Sequence, residues 1–321
     1  MSITPSTFRK ARASYTVIGG PRADRIRRVT SPLTVVLLAR GGRFYRQELL
    51  EALQGHSGAQ VLSIEGPGSA YDLQPLSQRY PEVRFLLLQE EASAGERINL
   101  GVGEARSPLV LVLWSDMKPE PWILGEEARR QALRQERLCI VPLLKGGGGE
   151  VLPSLQIPAL IKGRLKMLPW KPAQEGMKSL FPYDFCGLYS SRKFQQLGGY
   201  DPWMANPYWQ KLDFGFRAFL WGETVCCQPR FQVAYAAYPP SEDSTPDPSY
   251  KAFFLKNMAV QYNGELGLLP WSQLPHYVLK SDSGLFYALR EFREVRRWVY
   301  ENRYRFKGEA LSLISRWEMP E

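Results

Sequence analysis

Histidine is nearly missing from this sequence: His56 and His276 are the two in 321 residues. A metal centre built on several imidazoles is thereby excluded. The four cysteines, Cys139, Cys186, Cys226 and Cys227, show no metal-ligand spacing, and adjacent Cys226-Cys227 make a poor disulfide. They read as free thiols of a reducing compartment, so a cytoplasmic protein is expected. No apolar run approaches the ~20 residues of a membrane-spanning helix. Residues 1–29 lack the hydrophobic core of a secretory signal, so secretion is not expected. Net charge is thin outside one place. Of the net +9, residues 1–32 carry seven basic side chains and one acid, a contribution of +6 that leaves +3 for everything else. The body is therefore not a basic nucleic-acid binder, and no specific nucleic acid is expected; a basic tail binding RNA is the weakest reading considered. Residues 1–32 read as a flexible tail able to touch an anionic surface, which makes peripheral contact with the inner face of the membrane an expectation.

What is present is an ordinary globular composition, 44% hydrophobic and 23% charged. "PLTVVLLA" (32–39), "AQVLSIEG" (59–66), "VRFLLLQ" (83–89) and "PLVLVLWSD" (108–116) read as buried strands, separated by helical stretches at 43–56, 72–80 and 94–106. Alternation at this spacing specifies an α/β fold with a mostly parallel sheet. Ligands of such sheets bind beyond the carboxyl ends of the strands, which puts Glu65 and Asp116 on one rim. Residues 137–196 are less regular, with "GGGGE" (146–150) as a mobile turn and a Pro-broken stretch lining a groove. From Asp247 the pattern is helical, and the last long helix shows Leu285, Leu289, Phe292, Val295 and Val299 as a core-facing stripe, with a basic membrane-surface helix as the lesser alternative.

Five segments in order resemble the family-2 inverting glycosyltransferases, which have the GT-A fold. These are "TVVLLARGG", "VLSIEGPGSAYD", "ASAGERINLGVGEARSPLVLVLWSDMKPEPWIL", "CGLYSSRKFQQLGGYDPWM" and "WQKLDFGFRAFLWGE". The match spans roughly residues 33–263. The resemblance implies a GT-A-like domain over 33–245, with a nucleotide-binding half (33–135) and an acceptor half (136–245), then a helical C-terminal extension (246–321). It implies a nucleotide-diphospho-sugar donor, a glycan or other hydroxyl acceptor, and transfer with inversion. On the nucleotide-sugar side it points to Glu65, Arg97, Trp114, Asp116 and Lys118, and on the acceptor side to Asp184, Gly198, Gly199 and Asp201. Asp213, Lys211 and Arg217 stand at the catalytic motif. A divalent metal, Mn or Mg, would neutralise the leaving diphosphate with Asp116 as its ligand.

The sequence departs from the family at three places. Trp114 replaces the first aspartate of Asp-x-Asp, Gln210-Lys211 replaces the Glu-Asp pair that carries the usual base, and Tyr235 stands where a histidine is common. Two accounts fit these changes. In one, Lys118, Lys211 or Arg217 replaces the metal and Asp213, Asp184 or Asp201 serves as base. In the other, the fold is kept as a catalytically inactive binding or partner subunit.

Overall fold

The computed structural model describes residues 13–21, 31–40, 43–54, 59–280 and 284–318. Its strands are β1 (Tyr15–Gly19), β2 (Leu33–Leu38), β3 (Ala59–Glu65), β4 (Val83–Leu88), β5 (Leu109–Trp114), β6 (Met117–Pro119), β7 (Cys139–Lys145), β8 (Leu155–Ile161), β9 (Arg164–Trp170), β10 (Gly187–Ser190), β11 (Val225–Tyr235) and the two-residue pair β12 (Gln261–Tyr262) and β13 (Gly267–Leu268). Nine of them form one sheet in the order β1-β4-β3-β2-β5-β10-β7-β11-β6. Six run in one direction, and β1, β10 and β6 run against them. The sheet is mostly parallel, as the alternating strand and helix pattern requires.

The helices are α1 (Arg43–Gln54), α2 (Leu73–Arg79), α3 (Ala94–Glu104), α4 (Glu126–Gln135), α5 (Ser191–Leu197), α6 (Pro207–Leu220), α7 (Pro248–Phe253, extended by a π turn at Phe254–Met258), α8 (Gln273–Lys280), α9 (Leu285–Asn302) and α10 (Ala310–Ser315). β2 is apolar at all but one position because both of its faces are covered. Val35 and Leu37 enter one core layer and Val36 and Leu38 the other. Helix α3 lies so close to β2 that a Cβ on Gly101 would meet Val36 at 2.6 Å.

Two regions differ from the sequence reading. Inside the stretch read as a tail, β1 pairs antiparallel with β4 from Tyr15↔Leu88 to Gly19↔Arg84, and the Tyr15 hydroxyl donates to Glu104 (2.8 Å). Its β-branched Thr16, Val17 and Ile18 suit an edge strand. The seven basic residues of that stretch lie outside the described residues. The Pro-broken stretch is a separate hairpin, β8–β9, in register from Leu155↔Trp170 to Ile161↔Arg164. A two-stranded sheet has only edge strands, where prolines such as Pro158 and Pro169 are tolerated.

The C-terminal helices do not stand apart from the rest. Phe253, Phe292 and Phe306 share a buried core with Phe181, Trp209 and Phe216. Of the expected α9 stripe, Phe292 and Val299 are buried and Leu289 and Val295 half-buried, whereas Leu285 is exposed.

Candidate functional site

Strands β2 and β5 pair in register, Leu38 against Trp114, so the residues two steps past each end, Arg40 and Asp116, emerge side by side. The backbone there is locked. Ser115 N–H donates to Leu38 O (3.0 Å), Arg40 N–H donates to Ser115 Oγ (2.9 Å), and Ser115 Oγ donates to Arg40 O. From this point the Arg40 guanidinium grips Asp116 through both oxygens, Nε to Oδ2 and Nη2 to Oδ1, each at 2.9 Å. Its Nη1 donates to Asp184 Oδ2 at 2.7 Å. The Trp114 ring lies 4.5 Å from the guanidinium carbon and the Tyr235 ring 5.8 Å.

Asp184 is held from several sides. Trp114 Nε1 donates to its carbonyl (2.8 Å) and the Tyr235 hydroxyl to its Oδ2 (2.9 Å). Asp184 (φ 50°) and Phe185 (φ 60°) both lie in the left-handed region, a strain of about 1–3 kcal/mol at each residue that clusters at functional sites. Burial pushes the Asp184 carboxyl above its ordinary value, although Arg40 and Lys211 pull the other way. Tyr235 is likewise raised by burial and by the Asp184 charge. Burial opposes the charge on Arg40, but the hydrogen bonds and charges of the two aspartates outweigh it and raise its pKa. Lys211, on buried α6, pairs with Glu242 and sits among the rings of Phe181, Tyr183 and Phe185 at 5.2–5.7 Å. Burial, then Glu242, brings Tyr183 and Tyr208 up to about 12.

The structure thus gathers Trp114, Asp116 and Asp184, three residues expected from the sequence, around Arg40, which was not; Lys211, also expected, is near enough to Asp184 for its charge to act on that carboxyl. Other expectations do not join them. Glu65 is wholly buried, its carboxylate taken by Arg46 (2.6 Å) and the Ser63 hydroxyl (2.6 Å), so it is not open to a nucleoside. Arg97 braces its own helix start through Ala92 O (3.0 Å) and Glu91 (3.2 Å). Lys118 is an exposed partner of Glu48 on α1.

Asp213, the expected base, is enclosed. Arg217 Nε donates to its Oδ2 (2.7 Å), and Asn257 Nδ2 (2.9 Å) and Lys256 Nζ (3.0 Å) hold its Oδ1. A carboxylate bound this way and shut off from solvent cannot take a proton from an acceptor. Arg217 spends its remaining reach on the carbonyls of Leu197 (2.9 Å) and Gly199 (2.7 Å). It thereby holds the Gly198-Gly199 turn, where φ values of 98° and 64° require glycine. Asp201 is buried against Lys256 (2.7 Å). Gln210 bridges Gly95 N–H (3.0 Å) and Asp201 O (2.7 Å), joining α3 to that turn. These residues tie α3, α6 and the Gly198-Gly199 turn together.

A divalent ion fits this arrangement poorly. Asp116 and Asp184 are hard oxygen donors of the kind Mg or Mn takes, but the place between them is filled by Arg40. Among the described residues no three His, Cys, Asp or Glu side chains converge on one point.

No family model and no curated protein matches the chain. Solved structures do. GalNAc-T7 with UDP, GalNAc and Mn2+ superposes with a TM-score of 0.58 at 13% identity, covering 90% of this chain and 58% of that one. The fold is of the GT-A type. The chain spans less than three fifths of GalNAc-T7's length, and at 13% identity the likeness concerns the fold alone. Staphylococcus aureus TarS 1–349 is also similar, at TM-score 0.49 and 12% identity over 84% of this chain and 72% of that one, as is its complex with UDP-GlcNAc at TM-score 0.46. Within the GT-A fold, the Arg40 cluster lies at the carboxyl rim of the parallel strands, where such sheets bind ligands.

Proposed function

We propose that this chain binds a nucleotide-diphospho-sugar at that rim and transfers the sugar to a hydroxyl acceptor, with Arg40 standing where the family places a metal. The observation that carries the reading is the Arg40 guanidinium clamped between Asp116 and Asp184. Three of its five N–H groups are used in that clamp; the other two make no hydrogen bond among the described residues and remain available to phosphate oxygens. A fixed cation aimed at the charge that develops on the diphosphate lowers the barrier without reorganising.

The base is Asp184. Its Oδ2 is taken by Arg40 and Tyr235, and its Oδ1 accepts no hydrogen bond among the described residues. In the transfer, the acceptor oxygen bonds to the anomeric carbon, its proton passes to Asp184 Oδ1, and the bond from that carbon to the diphosphate breaks. The electron pair leaves on the diphosphate, facing Arg40. Inversion enters the proposal from the family resemblance alone, and the anomeric configuration of the first product, read by NMR, decides it.

The test is calorimetry of UDP and UDP-sugars with the full chain, in EDTA and in Mn2+. Binding in EDTA, weakened about ten-fold or more in Arg40→Gln, is the expected result. Absence of binding to any nucleotide sugar, or binding that needs Mn2+ and survives Arg40→Gln, overturns the proposal. A second reading is binding without transfer, and it is favoured by the enclosed Asp213 and by Lys211 at the family's base position. It predicts the same donor affinity with neither transfer nor hydrolysis of the donor.

A further inference from the structure

Helix α9 carries one line of exposed residues at spacings of four, three, four and three: Phe286, Arg290, Arg293, Arg297 and Tyr300. That spacing stacks them on a single helix face, opposite Phe292 and Val299 in the core. At its start, where α8 ends and α9 begins, Leu279, Leu285, Phe286 and Tyr287 are 86%, 60%, 88% and 63% exposed. Soluble surfaces scatter such residues singly; here Leu285, Phe286 and Tyr287 follow one another directly, with Leu279 six residues before Leu285.

Further along the same face, Arg293, Arg296, Arg297, Trp271 and Tyr300 line an open depression of about 290 Å³. Arg296 is fixed there, its Nε donating to Leu269 O (3.1 Å) and its guanidinium 5.0 Å from the Trp271 ring. Arg290 and Arg297 share their charge with Glu294 (3.0 Å) and Glu301 (3.1 Å) at the surface. Arg293 forms no ion pair among the described residues.

We propose that this face docks the protein on an anionic lipid bilayer. The apolar corner enters the boundary between headgroups and acyl chains, and the arginines meet lipid phosphates. Guanidinium forks match phosphate geometry, and aromatic rings beside cations suit an interface that is apolar on one side and wet on the other. A nucleic acid or acidic protein would answer the arginines but would leave Leu279, Leu285 and Phe286 without a partner. The bilayer answers both.

The test is sedimentation of the full chain with phosphatidylcholine vesicles, with and without phosphatidylglycerol. The expected result is binding to the phosphatidylglycerol vesicles that falls with salt. It is about ten-fold weaker in a Leu285→Ser/Phe286→Ser double variant and in an Arg290→Gln/Arg293→Gln double variant. All four side chains are exposed, so the variants keep the parent's circular dichroism and melting temperature, which are measured alongside. Failure to bind phosphatidylglycerol vesicles at low salt overturns the proposal. So does equal binding by parent and both variants, which would assign the affinity to the basic residues before Leu33. Loss in the arginine variant alone, with the apolar variant unchanged, also overturns it in favour of a soluble polyanion. None of these outcomes touches UDP-sugar binding, which is read separately.

Discussion

Two buried aspartates, Asp184 and Asp213, carry opposite pKa shifts. Burial alone would raise the Asp213 carboxyl, but the Arg217 guanidinium and the Lys256 ammonium outweigh it and hold the group below its ordinary value. A depressed carboxyl stabilises the folded state above the unfolded pKa near 4, and that stability is lost as pH falls through the lower folded value. Acid unfolding followed by fluorescence is therefore expected to shift toward higher pH, with flatter acid dependence, in Asp213→Asn. Asp213→Ala leaves the buried Arg217 without its carboxylate and Lys256 with Asp201 alone, and urea unfolding is expected to show a loss of about 3–5 kcal/mol. Asp184 is shifted the other way, by burial. As a base it works only when ionised, so the rate of sugar transfer should rise with pH along a limb centred above the usual carboxylate range near 4. An acid limb at or below that range would remove Asp184 from the role. Arg40 was hidden at this scale because one arginine after a strand looks like any other. Its meaning comes from register: Leu38 pairs with Trp114, which puts Arg40 beside Asp116.

Among the elements, the strands and helices of the first half follow from composition, since buried parallel strands such as β2 and β5 are near-continuous apolar runs. β1 was not legible, because a short strand beside basic residues has no periodicity of its own and exists through β4. Helix α3 shows how an element is fastened. Ser93 and Glu96 form a reciprocal capping box at its start. Ser93→Ala is expected to cost about 1 kcal/mol in thermal or urea unfolding. Gly95→Ala should cost more than that, since its Cβ would fall 2.5 Å from the Gln210 carboxamide and break the bridge to Asp201. A Gly95→Ala variant as stable as the parent would show that α3 and α6 are not locked together there. The exposed start of α9 is the element-scale surprise. Helical spacing placed Leu285 on the core side, yet Leu285, Phe286 and Tyr287 are exposed and the helix joins the core only from Ala288.

Over the whole molecule, the C-terminal helices complete a core that residues 136–245 do not close alone. A chain ending before Asp247 would leave Phe181, Trp209 and Phe216 without Phe253, Phe292 and Phe306. Such a truncation is expected to lose the cooperative thermal transition of the full chain, measured by calorimetry, and a truncation that still melts cooperatively would show the two parts to be independent. The sequence by itself determined the parallel α/β sheet, its buried strands and the rim at which Asp116 emerges, because those follow from local runs of apolar side chains. Only the tertiary structure decided which charges meet. Asp116, Asp184 and Tyr235 come from three separate segments and converge on Arg40, while Asp213 turns inward to Lys256 and Asn257. Hydrogen bonds and ion pairs act over a few ångströms of space, and nothing in residue spacing records which distant segments the fold brings that close.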